Sequence, residues 1–234
     1  SAQTFSLAAR VRAWSVHTFT ASGAALGAWA LVAMHQGDLR SAAIAMMVAF
    51  AIDAADGSLA RAFRVSKVIP WFDGRRLDDM VDYLNYVVVA VLFLLAAGGL
   101  PNAWWLAPPI MASAYGFSNE DAKTDDDFFL GFPSYWNVVA LYVWLLGISA
   151  STGAALVAAL SVGVFIPFKY LYPTKMTVFR RSMIVGGLAW YAVLFACVLW
   201  RDALAPWHVA ELSLVYPAIY FALSFKLGGW HRPR

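Results

Sequence analysis

The sequence predicts an all-α membrane protein, a polytopic transmembrane helical bundle of about eight spans. Three observations carry that reading. The 234 residues are 62% hydrophobic and only 13% charged, whereas soluble domains are about 45–50% apolar and about 25% charged. Mean hydropathy is +0.64. The apolar residues fall in runs close to the ~20 that a membrane-crossing helix needs, without the period-two alternation of a barrel strand. A soluble enzyme, a disordered chain and a nucleic-acid-binding module are excluded, because none could hide so much apolar surface. The single cysteine, Cys197, excludes a disulfide framework and a CxxC metal site. It reads as an apolar packing residue.

Residues 5–14, FSLAARVRAW, mix apolar and basic positions, so residues 1–15 are expected to form an N-terminal interfacial segment. Spans are expected near Val16–Met34, Leu39–Phe63, Leu77–Ala97, Trp104–Phe117, Tyr135–Ile148, Thr152–Tyr170, Ile184–Trp200 and Val209–Phe225. The fourth and fifth are short for a ~30 Å hydrocarbon core. The first is too long for a cleaved signal peptide. Residues 16–228 form one transmembrane domain and 229–234 a tail. Gly23 and Gly27, four apart in span one, allow close helix packing, expected inside the bundle.

Lys and Arg collect on the cytoplasmic side of membrane proteins. With the N-terminus inside and eight crossings, Arg10, Arg12, Arg61, Arg64, Lys67, Arg75, Arg76, Lys123, Lys169, Lys175, Arg180, Arg181, Lys226, Arg232 and Arg234 are cytoplasmic. Only Arg40 and Arg201 fall outside. Both termini and the loops at 61–76, 118–134 and 171–183 are therefore expected in the cytoplasm. Lys169, Lys175, Arg180 and Arg181 read first as this bias and second as a lipid-phosphate site. His17, His35, His208 and His231 fall near span ends and read as interfacial residues.

Span two contains AFAIDAADGSLARAF, and span three opens with FDGRRLDDMVDYLNY. A charge within the bilayer costs about 2.5–3.5 kcal/mol even on the lenient insertion scale. Asp53 and Asp56 are three residues apart and share a helix face. Gly74, Asp78 and Asp82 recur every four residues and stack on another. A short loop joins the two helices, so the four carboxylates face one another. Such a cluster repels itself unless a cation neutralises it. All-oxygen ligands select a hard divalent ion, Mg²⁺ or Mn²⁺. Arg61, one turn beyond Gly57, adds a phosphate partner, and Gly57 permits close approach. Interhelical salt bridges are the plainer alternative, but Asp outnumbers Arg in the cluster.

Asp53-x-x-Asp56-Gly57-x-x-Ala60-Arg61 … Gly74-x-x-x-Asp78-x-x-x-Asp82 resembles the signature of the CDP-alcohol phosphotransferases, over 30 residues of the chain. The resemblance implies that family's fold and its transfer of a phosphoalcohol group from a CDP carrier to an acceptor hydroxyl. Twelve residues separate Arg61 from Gly74, longer than the family's usual interval and similar to bacterial phosphatidylcholine synthases. VHTFTASGAALG in span one and SNEDAKTDDDFFLGFPSYWN resemble the same group, and FLGFP is similar to a segment of phosphatidylserine synthases.

The resemblance implies that Asp53, Asp56 and Asp78 hold a first metal, Asp82 completes a second site, and Asp82 also serves as general base. It implies that Gly57, Ala60, Arg61, Gly74 and Thr20 meet CDP-diacylglycerol. The implied reaction consumes CDP-diacylglycerol and choline and gives phosphatidylcholine and CMP, with Mn²⁺ or Mg²⁺ as cofactor, expected as two ions. It further implies a multi-pass protein of the bacterial inner membrane, among membrane lipids and without nucleic acid, with a homodimer as a candidate assembly. Phosphoryl transfer asks chiefly for positioning and charge stabilisation. Ser58 beside the cluster reads as a packing residue rather than a nucleophile.

A quaternary ammonium is recognised by aromatic faces with a carboxylate nearby. Tyr83, Tyr86, Tyr115, Glu120 and Asp121 are the candidates, drawn from the cytoplasmic aromatics Trp71, Phe72, Phe117, Tyr135 and Trp136 and an acidic loop that includes Asp125, Asp126 and Asp127. That loop would repel an anionic acceptor. The competing readings are a phosphatidylserine synthase or another CDP-alcohol phosphotransferase and, in a different class, a divalent metal transporter. A transporter would spread its carboxylates along several spans, and here they crowd into two, with Glu211 alone in the last.

Overall fold

Helix α1 (Leu7–His35) begins where the Ser6 hydroxyl accepts from the Ala9 amide at 3.2 Å. The computed structural model describes residues 5–119, 124, 128–173, 175–176 and 178–231. The chain divides into two units, Ser1–Val89 and Ala90–Arg234.

In the first unit α1 is followed by α2 (Leu39–Ala62), α3 (Val65–Val68), α4 (Gly74–Asp82) and a π-helical segment, Tyr83–Val89. The separate interfacial helix expected before residue 16 is not formed. Ala, Leu and Arg dominate that stretch and favour helix, so α1 runs through it unbroken. Ala13, Val16, His17, Thr20, Gly23, Gly27 and Ala30 form its buried face, at the three-and-four spacing of a packed helix. Asp38 caps α2 by accepting from the Ser41 amide at 2.9 Å, and hydrogen bonding from Ser41 holds its carboxyl below the ordinary aspartate pKa.

The long interval between Arg61 and Gly74 is a packed turn. Arg64 takes a left-handed conformation (φ 53°) that reverses the chain into α3. Val65, Val68 and Ile69 are then buried against Ala13 and Val16 of α1. Asp73 caps α4, accepting from the Arg76 amide at 3.0 Å. Beyond Asp82 the ladder widens. The Asn85 side-chain amide donates to the Val81 carbonyl at 3.1 Å and to the Gly23 carbonyl of α1 at 3.0 Å. A side chain inserted into the ladder is a recognised cause of such a departure.

The second unit holds α5 (Ala90–Ala96), a 3₁₀ turn (Ala103–Leu106), α6 (Ala107–Ser118), β1 (Phe128–Leu130), α7 (Trp136–Leu145), α8 (Ala150–Gly163), β2 (Lys169–Leu171), α9 (Arg180–Leu199), α10 (Arg201–Leu204), α11 (Val209–Ser213) and α12 (Val215–Leu227). Among the described residues, five helical stretches are long and apolar enough to cross a membrane: Leu7–His35, Leu39–Ala62, Gly74–Ala96, Arg180–Leu199 and Val209–Leu227. The other three expected spans are helical but shorter, at 12, 10 and 14 residues for α6, α7 and α8. Ten residues rise only ~15 Å. Helix α7 is the buried centre of its unit, with seven of its ten residues inside. Trp144 meets Phe93 of α5 edge-on at 5.7 Å, and the Tyr142 hydroxyl accepts from Trp190 of α9 at 2.9 Å and pairs with Ser213 of α11 at 2.6 Å. Irregular backbone beside such a helix is tolerated at membrane depth because protein covers it. Cys197 is buried, as expected of a packing residue.

The all-α reading did not include a two-stranded antiparallel sheet. Phe128 pairs with Leu171, Phe129 with Tyr170 and Leu130 with Lys169. The described start of the expected tail reaches the same place: the Lys169 amide donates to the Gly229 carbonyl at 3.0 Å and the His231 amide to the Pro167 carbonyl at 2.8 Å.

Helix α8 meets the turn after α5 through bare backbone. A Cβ at Gly153 would stand 2.0 Å from the Gly99 carbonyl oxygen. Overpacking of this kind costs about 1–3 kcal/mol, more where the obstacle is backbone. Gly153→Val is expected to lower the melting temperature of the detergent-solubilised protein by several degrees, read by thermal unfolding beside the parent chain.

Candidate active site

Helices α2 and α4 bring their carboxylates together within the first unit. One oxygen each from Asp53, Asp78 and Asp82 lies within 4.8 Å of the other two, and all three residues are partly buried. Asp56 is 6% exposed and accepts from the Thr20 hydroxyl of α1 at 2.8 Å. Its carboxyl also lies against Asp78. The Tyr86 hydroxyl, from the π segment, donates to Oδ2 of Asp53 at 2.5 Å. Both α2 carboxylates are thus met by neutral hydroxyls from neighbouring elements.

A hydroxyl that donates to a carboxylate fixes an oxygen without cancelling its charge. Three converging carboxylates supply the hard oxygen ligands that suit Mg²⁺ or Mn²⁺. The residues present fit a divalent cation, with Asp56 bordering the trio and oriented by Thr20.

The other expected site residues divide into groups. Arg61 lies one turn beyond Gly57 on α2, and its guanidinium sits over it: Nη1 is 3.4 Å from where a Cβ on Gly57 would stand. Nη2 donates to Ser58 Oγ at 3.1 Å, and Arg61 is exposed. Ala60 packs against the apolar cluster of Ala13, Val16, Val65, Val68 and Ile69. Gly74, the first residue of α4, faces His17. Thr20 reaches Asp56 rather than open space. Tyr83 follows Asp82 and is half-buried. Tyr86 is buried, with its hydroxyl on Asp53 and its ring 5.8 Å from Phe50. That places it among the supports of a ligand instead of in an ammonium cage. Tyr115 belongs to α6 in the second unit, where its ring packs on Phe165 at 5.0 Å. Glu120, Asp121 and Asp125–Asp127 lie outside the described residues.

His17 departs from its interfacial reading. It is 7% exposed, packed between Phe72 at 4.5 Å and Trp14 at 5.7 Å. Its position on the buried stripe with Val16 and Thr20 was the available signal. Tyr86 was similarly detectable as a support, since it lies four residues beyond Asp82. Asn85 gave no signal, because its partner Gly23 is remote in sequence.

In the second unit a surface cavity of about 590 Å³ opens at the start of α9, lined by Phe179, Arg180, Arg181, Ser182, Ile184 and Val185. It contains two of the cations read above as topology markers.

The family model for CDP-alcohol phosphatidyltransferase matches residues 16–205, which include the whole carboxylate cluster. The chain belongs to the CDP-alcohol phosphatidyltransferase family. Among CDP-alcohol phosphatidyltransferases it is similar to the phosphatidylcholine synthase of Legionella pneumophila, at 39% identity over 94% of this chain and 90% of that one. The phosphatidylcholine synthase of Legionella bozemanae is 38% identical over 86% of this chain and 97% of its own. That of Bradyrhizobium diazoefficiens is 41% identical over 74% and 66%.

Removing the hydroxyl that orients a metal ligand typically weakens metal binding about 10–100-fold. Tyr86→Phe and Thr20→Val are each expected to raise the Mn²⁺ concentration for half-saturation by about that factor, measured by calorimetric titration of the purified protein. Unchanged titrations would separate these hydroxyls from the cation site.

Proposed function

We propose that the chain is a phosphatidylcholine synthase that transfers the phosphatidyl group of CDP-diacylglycerol to choline. The observation that carries the reading is the convergence of Asp53, Asp78 and Asp82 in a chain similar over most of its length to phosphatidylcholine synthases. In the proposed reaction the choline oxygen attacks the phosphatidyl phosphorus in line. The bond from that phosphorus to the CMP oxygen breaks, and CMP leaves. No covalent enzyme intermediate is required.

Asp53, Asp56, Asp78 and Asp82 would hold Mn²⁺ or Mg²⁺, as one ion or a pair. When bound, the cation offsets the charge of the diphosphate and of the leaving oxygen. Asp82 takes the proton of the choline hydroxyl, which is a poor nucleophile while protonated. Arg61, exposed beside Gly57, meets the diphosphate through charge-assisted hydrogen bonds. Thr20 and Tyr86 hold the α2 carboxylates in place throughout. Of the aromatics, Tyr83 remains the candidate for the choline ammonium in the first unit, because the Tyr86 hydroxyl is engaged.

The proposal extends to a multi-pass protein of the bacterial inner membrane with this cluster toward the cytoplasm. The distribution of Lys and Arg supports that orientation. The β1–β2 pairing and the contact of Lys169 with Gly229 support it as well, because segments that share hydrogen bonds on one side of a membrane are separated by an even number of crossings.

The test is CMP release by the purified protein in detergent with CDP-diacylglycerol and Mn²⁺, offering choline, serine, inositol or glycerol-3-phosphate separately. Release with choline alone, abolished by chelator, is expected. Release with another acceptor would keep the family chemistry and discard choline. No release with any of them would favour cation transport. Asp82→Asn is expected to retain CDP-diacylglycerol binding while turnover falls about 10²–10⁴-fold, the usual contribution of a general base. Near-normal turnover would remove Asp82 from that role.

A further inference from the structure

Helix α1 meets α4 and its π extension along three rungs, each with a glycine on one side. A Cβ on Gly74 would stand 2.6 Å from His17 Cε1. One on Gly23 would stand 3.0 Å from Val81 Cγ1, and one on Gly27 2.5 Å from Asn85 Oδ1. The rungs ascend together, 17, 23 and 27 against 74, 81 and 85, so the two helices run parallel. On two rungs α1 supplies the hollow. On the lowest α4 supplies it, and the side chain that fills it is a histidine.

That choice is costly in itself. Among the described residues His17 Nε2 is buried without a hydrogen-bond partner, and an unsatisfied buried polar atom destabilises the fold. A leucine or methionine could fill a hollow without that cost. The imidazole contributes a flat, rigid ring, wedged between Phe72 and Trp14. It has little freedom to yield if the hollow closes.

We infer that Gly74 is a positioning residue for the carboxylate cluster: its bare Cα seats the His17 ring and so sets the height of α1 against α4. The inference rests on the reading of that cluster as a cation site. Gly74 is one turn before Asp78 on α4, and His17 is one turn before Thr20 on α1. Thr20 donates to Asp56, and Asp56 lies against Asp78. A methyl group at position 74 pushes on the ring and shifts α1, and the Thr20 bond is the first contact to feel it. The family resemblance alone gave Gly74 to the CDP-diacylglycerol substrate, yet its open side is taken by His17.

The two roles separate in a compensation experiment on the full chain in detergent. Mn²⁺ affinity is measured by calorimetric titration and by the rise in melting temperature on adding Mn²⁺, with no substrate present. Gly74→Ala is expected to weaken Mn²⁺ binding about tenfold or more, the scale of a lost orienting contact. The double variant H17A/G74A makes room for the new methyl and is expected to return to within about threefold of the parent, leaving the smaller deficit of a changed contact. A G74A titration that matches the parent overturns the inference, and so does a double variant no better than G74A. If G74A does not give monodisperse protein, the double variant decides: monodisperse protein with restored Mn²⁺ binding supports the seat, and its failure overturns it. Failure of the parent to bind Mn²⁺ overturns the cation-site reading and this inference with it. The choice of acceptor alcohol does not enter the measurement.

Discussion

Carboxylates placed on membrane helices must be compensated where water is scarce, and the first unit is organised around that constraint. Thr20 and Tyr86 meet Asp56 and Asp53 with uncharged hydroxyls. A hydroxyl fixes one oxygen and leaves the negative charge available, whereas a guanidinium would have filled the place of the cation. The surrounding elements follow from this need: α1 supplies Thr20, the π segment supplies Tyr86, and Asp73 fixes the start of the helix that carries Asp78 and Asp82.

The aspartate constellation was legible because it lies on two adjacent helices and obeys helical periodicity. Residues three or four apart on a regular helix can be placed on a face without coordinates, and Asp53, Asp78 and Asp82 do converge. The supports were harder to read. Thr20 is far from Asp56 in sequence, and only the packing of α1 on α2 reveals the bond between them. Tyr86 was read for its ring, and the structure uses its hydroxyl. His17 was read from its place near a span end, but the helix extends two turns further toward the N-terminus and carries it inside. The interval between Arg61 and Gly74 marked a subgroup by its length alone. Its content, the buried trio Val65, Val68 and Ile69, shows that the added residues make a packed turn.

In the second unit, hydropathy located the helices but overstated some of their lengths. A window of apolar residues does not distinguish a helix from the irregular apolar chain beside it. Pro108 and Pro109 confine the beginning of α6, and Gly147, at φ 61°, follows the end of α7. The strands were invisible for a related reason. Three-residue segments carry too little pattern to read, and Phe128–Leu130 and Lys169–Leu171 find each other only after α7 and α8 have brought them together.

The contact between Lys169 and Gly229 also imposes an order in time. A polypeptide emerges from the ribosome residue by residue, and the amide of Lys169 is made some sixty residues before the carbonyl that receives it. Through that interval β2 can already hold β1, and the Gly131 amide can already donate to the Phe168 carbonyl, while the Gly229 carbonyl that receives the Lys169 amide is still to be made. Helices α9 and α12 are made first, and the segment at Gly229 then fastens a surface assembled earlier. The segment around Gly229 thus acts as a latch, closed only after the helices that precede it have been made.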